Sequence, residues 1–123
     1  MIPDSYSVMI NKLCDKTLEG KINWKTTADD NRYLIDFRDF SLTTTLYIPA
    51  IGDKNVAIHL WDKNGRVIDY FHVLNGEPDF DKLELMFDGA RRKAKRIDEA
   101  ISFITQELDT AETVGDTSED DPM

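Results

Sequence analysis

Cysteine occurs once in this chain of 123 residues, at Cys14. A single thiol excludes an intramolecular disulfide and any zinc site built on several thiolates. Long apolar runs are missing as well. No stretch approaches the roughly 20 residues that cross a bilayer, and the longest helical candidate, Phe80 to Leu108, is studded with Asp, Glu, Lys and Arg. A membrane-spanning helix is thereby excluded. The Met1 end has neither the basic stretch nor the apolar core of a secretory signal, so the expected location is the reducing cytoplasm. Positive charge is in deficit: 15 Lys and Arg stand against 24 Asp and Glu, for a net charge of −9. That balance disfavours attraction to nucleic acid or anionic membrane over the surface as a whole. Catalytic signatures are lacking too, with no Gly-rich phosphate loop, no His-Glu-x-x-His and no Ser or Cys nucleophile motif.

What remains suits one α+β domain over residues 1–109, since about 100 ordered residues bury a core without a metal or disulfide staple. Tyr6, Met9, Ile10, Leu13 and Thr17 recur at helical spacing. They predict an N-terminal helix capped by Asp4 and stopped by Gly20. Lys21 to Arg32 reads as a polar loop that pins Trp24 onto the core, with a short strand possible at Ile22 to Lys25. From Tyr33 the apolar period changes to two, which predicts strands at Tyr33–Arg38, Leu42–Ile48, Val56–Trp61 and Val67–Leu74. The result is an antiparallel meander of four or five strands. Phe80, Leu83, Phe87, Ala90, Ala94, Ile97, Ile101, Ile104 and Leu108 then alternate steps of three and four, predicting one long helix that starts at Asp79 and packs on the sheet. At about 1.5 Å per residue it runs roughly 43 Å, against about 23 Å for a seven-residue strand. Either it crosses the sheet diagonally or its far end overhangs. Gly89 within it marks a close backbone approach or a kink. Residues 110–123 hold five acidic residues and no basic one, a composition that predicts a disordered tail.

Asp62-Lys63-Asn64-Gly65 is the strongest hairpin signal, and its register decides what shares a face with His59. A type I turn from Asp62 to Gly65 favours a three-residue loop and sets His59 opposite Asp69. A two- or four-residue loop instead groups Val56, Ile58 and Leu60 with Val67, Phe71 and Val73. The apolar pattern favours the second, because a one-residue slip splits the core across both faces. His59, Trp61, Tyr70 and His72 then share the other face, where Tyr47, Thr43, Thr45, Asp36 and Arg38 can join them. Such a wall of rings and hydrogen-bonding groups suits a protein partner. It equally suits an outer sheet face covered by the first helix or the Lys21–Arg32 loop.

Two further constellations stand out. Arg91, Arg92, Lys95 and Arg96 belong to a basic segment that could hold phosphate or carboxylate groups, unless Glu84, Asp88, Asp98 and Glu99 neutralise it from neighbouring turns. Ile101, Ile104 and Leu108 form an apolar stripe on the overhanging end, a candidate self-association seam. No cofactor and no metal site is implied, since four ligands at metal-binding spacing cannot be picked out.

The hairpin Val56-x-Ile58-x-Leu60, Gly65-x-x-Ile68-Asp69-x-Phe71-x-Val73, followed by Leu83-x-x-Met86-Phe87-x-x-Ala90-Arg91-Arg92-x-Ala94, resembles short bacterial proteins that end in a helix with an Ala-Arg-Arg segment. The resemblance covers roughly Trp24 to Leu108. It implies a bacterial cytosolic origin and this architecture, and it carries no catalytic residue. The resulting expectation is a non-catalytic, homodimeric protein-interaction module: an adaptor, regulator or immunity-type inhibitor. A nucleic-acid or phosphate-binding regulator using the basic segment is the first alternative, and a small enzyme or ligand-binding protein using His59 and His72 the second.

Overall fold

The structure, a computed structural model, describes residues 1–115. A 3-10 turn at Asp4–Tyr6 leads into α1 (Ser7–Leu18). Asp4 sits inside that turn, and neither it nor Tyr6 caps α1 with a side chain. The other end follows the sequence. Gly20 adopts φ +72°, its N–H donates to Thr17 and the N–H of Lys21 donates to Lys16, the paired bonds that close a helix on a left-handed residue.

Five strands follow: β1 (Lys25–Thr26), β2 (Arg32–Phe37), β3 (Phe40–Tyr47), β4 (Asn55–Asp62) and β5 (Val67–Leu74). They lie in chain order, each antiparallel to the next. The hairpin between β4 and β5 resolves the conflict of registers by following the turn signal at the loop and the apolar signal from Asp69 onward. Gly65 N–H donates to Asp62 C=O and Asp62 N–H to Arg66 C=O, so the loop has three residues as the turn chemistry prefers. A bulge between Leu60 and Trp61 then absorbs Ile68 as an extra residue on β5. Beyond it Leu60 faces Asp69, His59 faces Tyr70 and Ile58 faces Phe71, the register the apolar pattern requires from Asp69 onward, while Val67, expected on the core face, lies before the bulge opposite Trp61 and is exposed.

The single long helix is not found. Its span divides into α2 (Phe80–Ala94) and α3 (Ile97–Thr110), with Arg96 between them at φ +56°. Apolar spacing cannot reveal this break, but charge order does. Arg91, Arg92 and Lys93 close α2, Lys95 and Arg96 follow it, and Asp98 and Glu99 open α3, the arrangement that the dipoles of two successive helices favour. Asp79 occupies the position before α2 without capping it. Its carboxylate instead accepts the N–H of Ile2 at 3.2 Å.

One face of the sheet carries the core. Tyr33, Ile35, Leu42, Val56, Ile58, Phe71 and Val73 meet Phe80, Leu83, Met86, Phe87 and Ala90 of α2, while Ile10, Leu13 and Cys14 of α1 complete the cluster. Trp24 is buried, as expected, and its indole N–H donates to Thr17 at 3.0 Å. Gly89 marks the close approach of α1 to an unbroken α2: a Cβ there would stand 2.8 Å from Thr17 Cγ2. Of the expected tail, Thr110 belongs to α3, residues 111–115 continue without helix or strand, and 116–123 lie outside the described residues.

Candidate functional site

Alternation along β3, β4 and β5 places Tyr47, His59, Trp61, Tyr70 and His72 together on the face opposite the helices. Thr43, His59 and Tyr70 stand side by side; Thr45, Ala57 and His72 form the next row. No described helix packs over them: α2 lies on the core side, α1 packs on α2, and α3 touches α2 alone. The expected alternative, that α1 or the Lys21–Arg32 loop covers this face, therefore fails for α1. The loop turns its large ring, Trp24, into the core.

The rings form a connected surface. The imidazole of His59 stacks on Tyr70 at 5.3 Å and 16°, and lies 6.1 Å from the Trp61 ring. Trp61 Nε1 donates to Thr43 at 3.0 Å and Arg32 Nε to Thr45 at 3.1 Å, which fixes both long side chains flat against buried threonines. Tyr70 keeps 59% of its surface exposed and Tyr47 41%. His59 is half-buried, and its Nδ1 has no hydrogen-bond partner among the described residues. Burial first, and the Arg32 guanidinium second, push its pKa below the usual value of 6.5. Arg32 is the member of this wall that the sequence reading missed, because it was assigned to the loop that it ends. Arg38, in the turn after β2, borders a shallow depression beside Trp61 with Asp36 and Ser41.

A histidine–carboxylate pair does not form. Asp69 lies on the helix-bearing face, where the half-buried hydroxyl of Tyr6 donates to it at 2.5 Å. Burial and that bond to Asp69 push the Tyr6 hydroxyl up from 10.0 to about 12. Among the described residues, no group of three or more His, Cys, Asp or Glu side chains stands ready to hold a metal ion. Cys14 is buried, and burial raises its pKa.

The basic segment is largely occupied from within. Arg91 pairs with Asp88 at 2.8 Å, Arg92 with Asp98, and Arg96 with Glu99 through Nε at 2.8 Å. Glu84 turns away to Lys54 at 2.8 Å. Lys95 has no partner among the described residues. The stripe of Ile101, Ile104 and Leu108 is exposed, and α3 buries none of its residues. Phe103, 65% exposed, widens that apolar surface and lines a concavity with Lys95, Arg96, Glu99, Ala100 and Ile104. No helix among the described residues is long and apolar enough to cross a membrane.

Comparison of the chain with protein-family models, with curated proteins and with solved structures returned no match.

Proposed function

We propose that this chain is a non-catalytic protein-interaction module, an adaptor, regulator or immunity-type inhibitor, working as a homodimer. The observation that carries the reading is the open sheet face: a surface with no helix over it bears three aromatic rings and two imidazoles instead of the charged alternation of an idle sheet face. Rings already fixed by stacking and by hydrogen bonds offer contact area at small entropic cost. The apolar stripe of α3 is a second contact surface, open either to another copy or to the partner.

Both alternatives lose support from geometry. For phosphate or nucleic acid, the three arginines would first have to leave Asp88, Asp98 and Glu99. For acid–base chemistry, His59 lacks the carboxylate that would orient its ring, since Asp69 is on the opposite face.

Affinity capture of the tagged protein from its host, with salt as the variable, tests the reading. One protein retained in near-stoichiometric amount through high salt is expected, with Tyr47→Ala and Trp61→Ala each lowering its affinity about tenfold or more. Equal retention by these variants, at unchanged circular dichroism, defeats the sheet-face reading. Salt-released nucleic acid points to the basic segment.

A further inference from the structure

The sheet has two edges of unequal character. At one, β1 is only two residues long. At the other, β5 presents eight residues with no lysine and no proline among them, the usual means of blocking an edge. How much of that edge is open follows from the hydrogen-bond phase. Asn75 N–H donates to Lys54 C=O, directly beyond the opposed pair Asn55 and Leu74. Antiparallel ladders alternate bonded and non-bonded pairs. Asp69, Phe71 and Val73 therefore bond inward to β4, while Tyr70, His72 and Leu74 turn their N–H and C=O groups outward.

Leu74 is already satisfied. Its N–H donates to the Glu77 carboxylate at 3.1 Å, and its C=O accepts the Glu77 N–H at 3.0 Å. At the other end the Ile68 bulge interrupts the ladder. Two residues remain, Tyr70 and His72, with two donors and two acceptors that meet no group among the described residues.

We infer that a second copy of this chain pairs with β5 in antiparallel fashion, with Phe71 on the two-fold axis and Tyr70 of each copy opposite His72 of the other. This register is self-complementary: each Tyr70–His72 pair exchanges two backbone hydrogen bonds, and all four open groups of each copy are used. Sliding by two residues sets one of the two against itself and the other against the bulge or the capped Leu74. Sliding by one opposes outward groups to inward ones. On the core side, Asp69 needs no new partner because the Tyr6 hydroxyl holds it.

The inference rests on the homodimer proposed above and supplies its seam. It joins two meanders into a ten-stranded sheet whose aromatic face runs unbroken across the axis. The α3 stripe is then left for the partner protein, since α2 begins beside β5 and reaches the β1 side before α3 starts, where Lys93 bonds Gly20 C=O.

Charge exchange across the seam is the test, because Tyr70 and His72 are both exposed and their replacement leaves the core intact. By sedimentation, the wild-type chain should have twice the monomer mass of 14.1 kDa. The doubly substituted Tyr70→Lys, His72→Lys and Tyr70→Asp, His72→Asp proteins should each halve that mass, since like charges then stand opposite. Mixing the two should restore the dimer. If the wild-type protein is monomeric at high micromolar concentration, both the homodimer and the seam are overturned. If it is dimeric and both charged proteins stay dimeric, the seam is overturned while the homodimer stands, and Ile104→Glu should then dissociate it through α3. Monomeric charged proteins that fail to combine overturn the register. Should either charged protein misfold, amide exchange of the wild-type chain decides: concentration-dependent protection of the Tyr70 and His72 N–H groups is expected, and its absence overturns the pairing.

Discussion

Gly89 shows how one missing methyl sets the distance between two helices. Alanine there gains about 1 kcal/mol of helix propensity, but its Cβ would sit 2.8 Å from Thr17 Cγ2, and overpacking of this kind costs typically 1–3 kcal/mol. Gly89→Ala should therefore lower thermal stability. Adding Thr17→Ser, which removes the offending methyl and keeps the hydroxyl that accepts from Trp24, should restore it to at least the wild-type value. Tyr6 gives a pH-dependent counterpart. Tyr6→Phe removes one hydrogen bond to a carboxylate that water still reaches, at a cost of about 0.5–1.5 kcal/mol. The Tyr6 pKa is raised in the folded state, so its contribution is full below pH 10 and is lost as pH rises through about 12. The difference between wild type and variant in denaturant unfolding should shrink over that range. His59 has the opposite sign: its lowered pKa makes stability full above pH 6.5 and less as pH falls through the lower folded value. A His59→Phe variant, still able to stack on Tyr70, should show less acid sensitivity between pH 7.5 and 5.

Among the elements, strands and α1 were legible because each has a period, a turn signal or a glycine at its end. The break between α2 and α3 was not, since Ala90, Ala94, Ile97 and Ile101 keep helical spacing straight across a residue at positive φ. Only the order of cations before anions carries that information. The β4–β5 hairpin was legible in its parts but not in its solution: turn chemistry and apolar pattern each indicated a register, and one inserted residue reconciles them. Deleting Ile68 should accordingly leave a regular ladder, with Val67 opposite Trp61 and Asp69 opposite Leu60 as now, and a melting temperature close to wild type. Deleting His72 instead turns Phe71 and every residue before it in β5 to the opposite face, and should abolish cooperative unfolding.

At the scale of the whole molecule, the sequence located all five ring-bearing side chains of the open face, since strand alternation alone assigns them. It did not settle whether that face was covered, because periodicity says nothing about where a distant helix packs. Helix length left a diagonal crossing or an overhang open, and the end stands clear of the sheet for a different reason: the chain breaks at Arg96 and α3 touches only α2. A chain ending at Arg96 should therefore retain the cooperative unfolding and near-native melting temperature of the full chain, as α3 contributes no buried residue.

Trp24 and Trp61 are the only tryptophans, and they sit on opposite sides of the sheet, one sealed in the core and one half-exposed beside His59. The protein thus carries two intrinsic fluorophores with separate duties. Emission from Trp24 reports whether the chain is folded, whereas emission from Trp61 reports what happens on the open face. With Trp24→Phe as background, a blue shift of the remaining signal on mixing would register a partner's arrival without any added label.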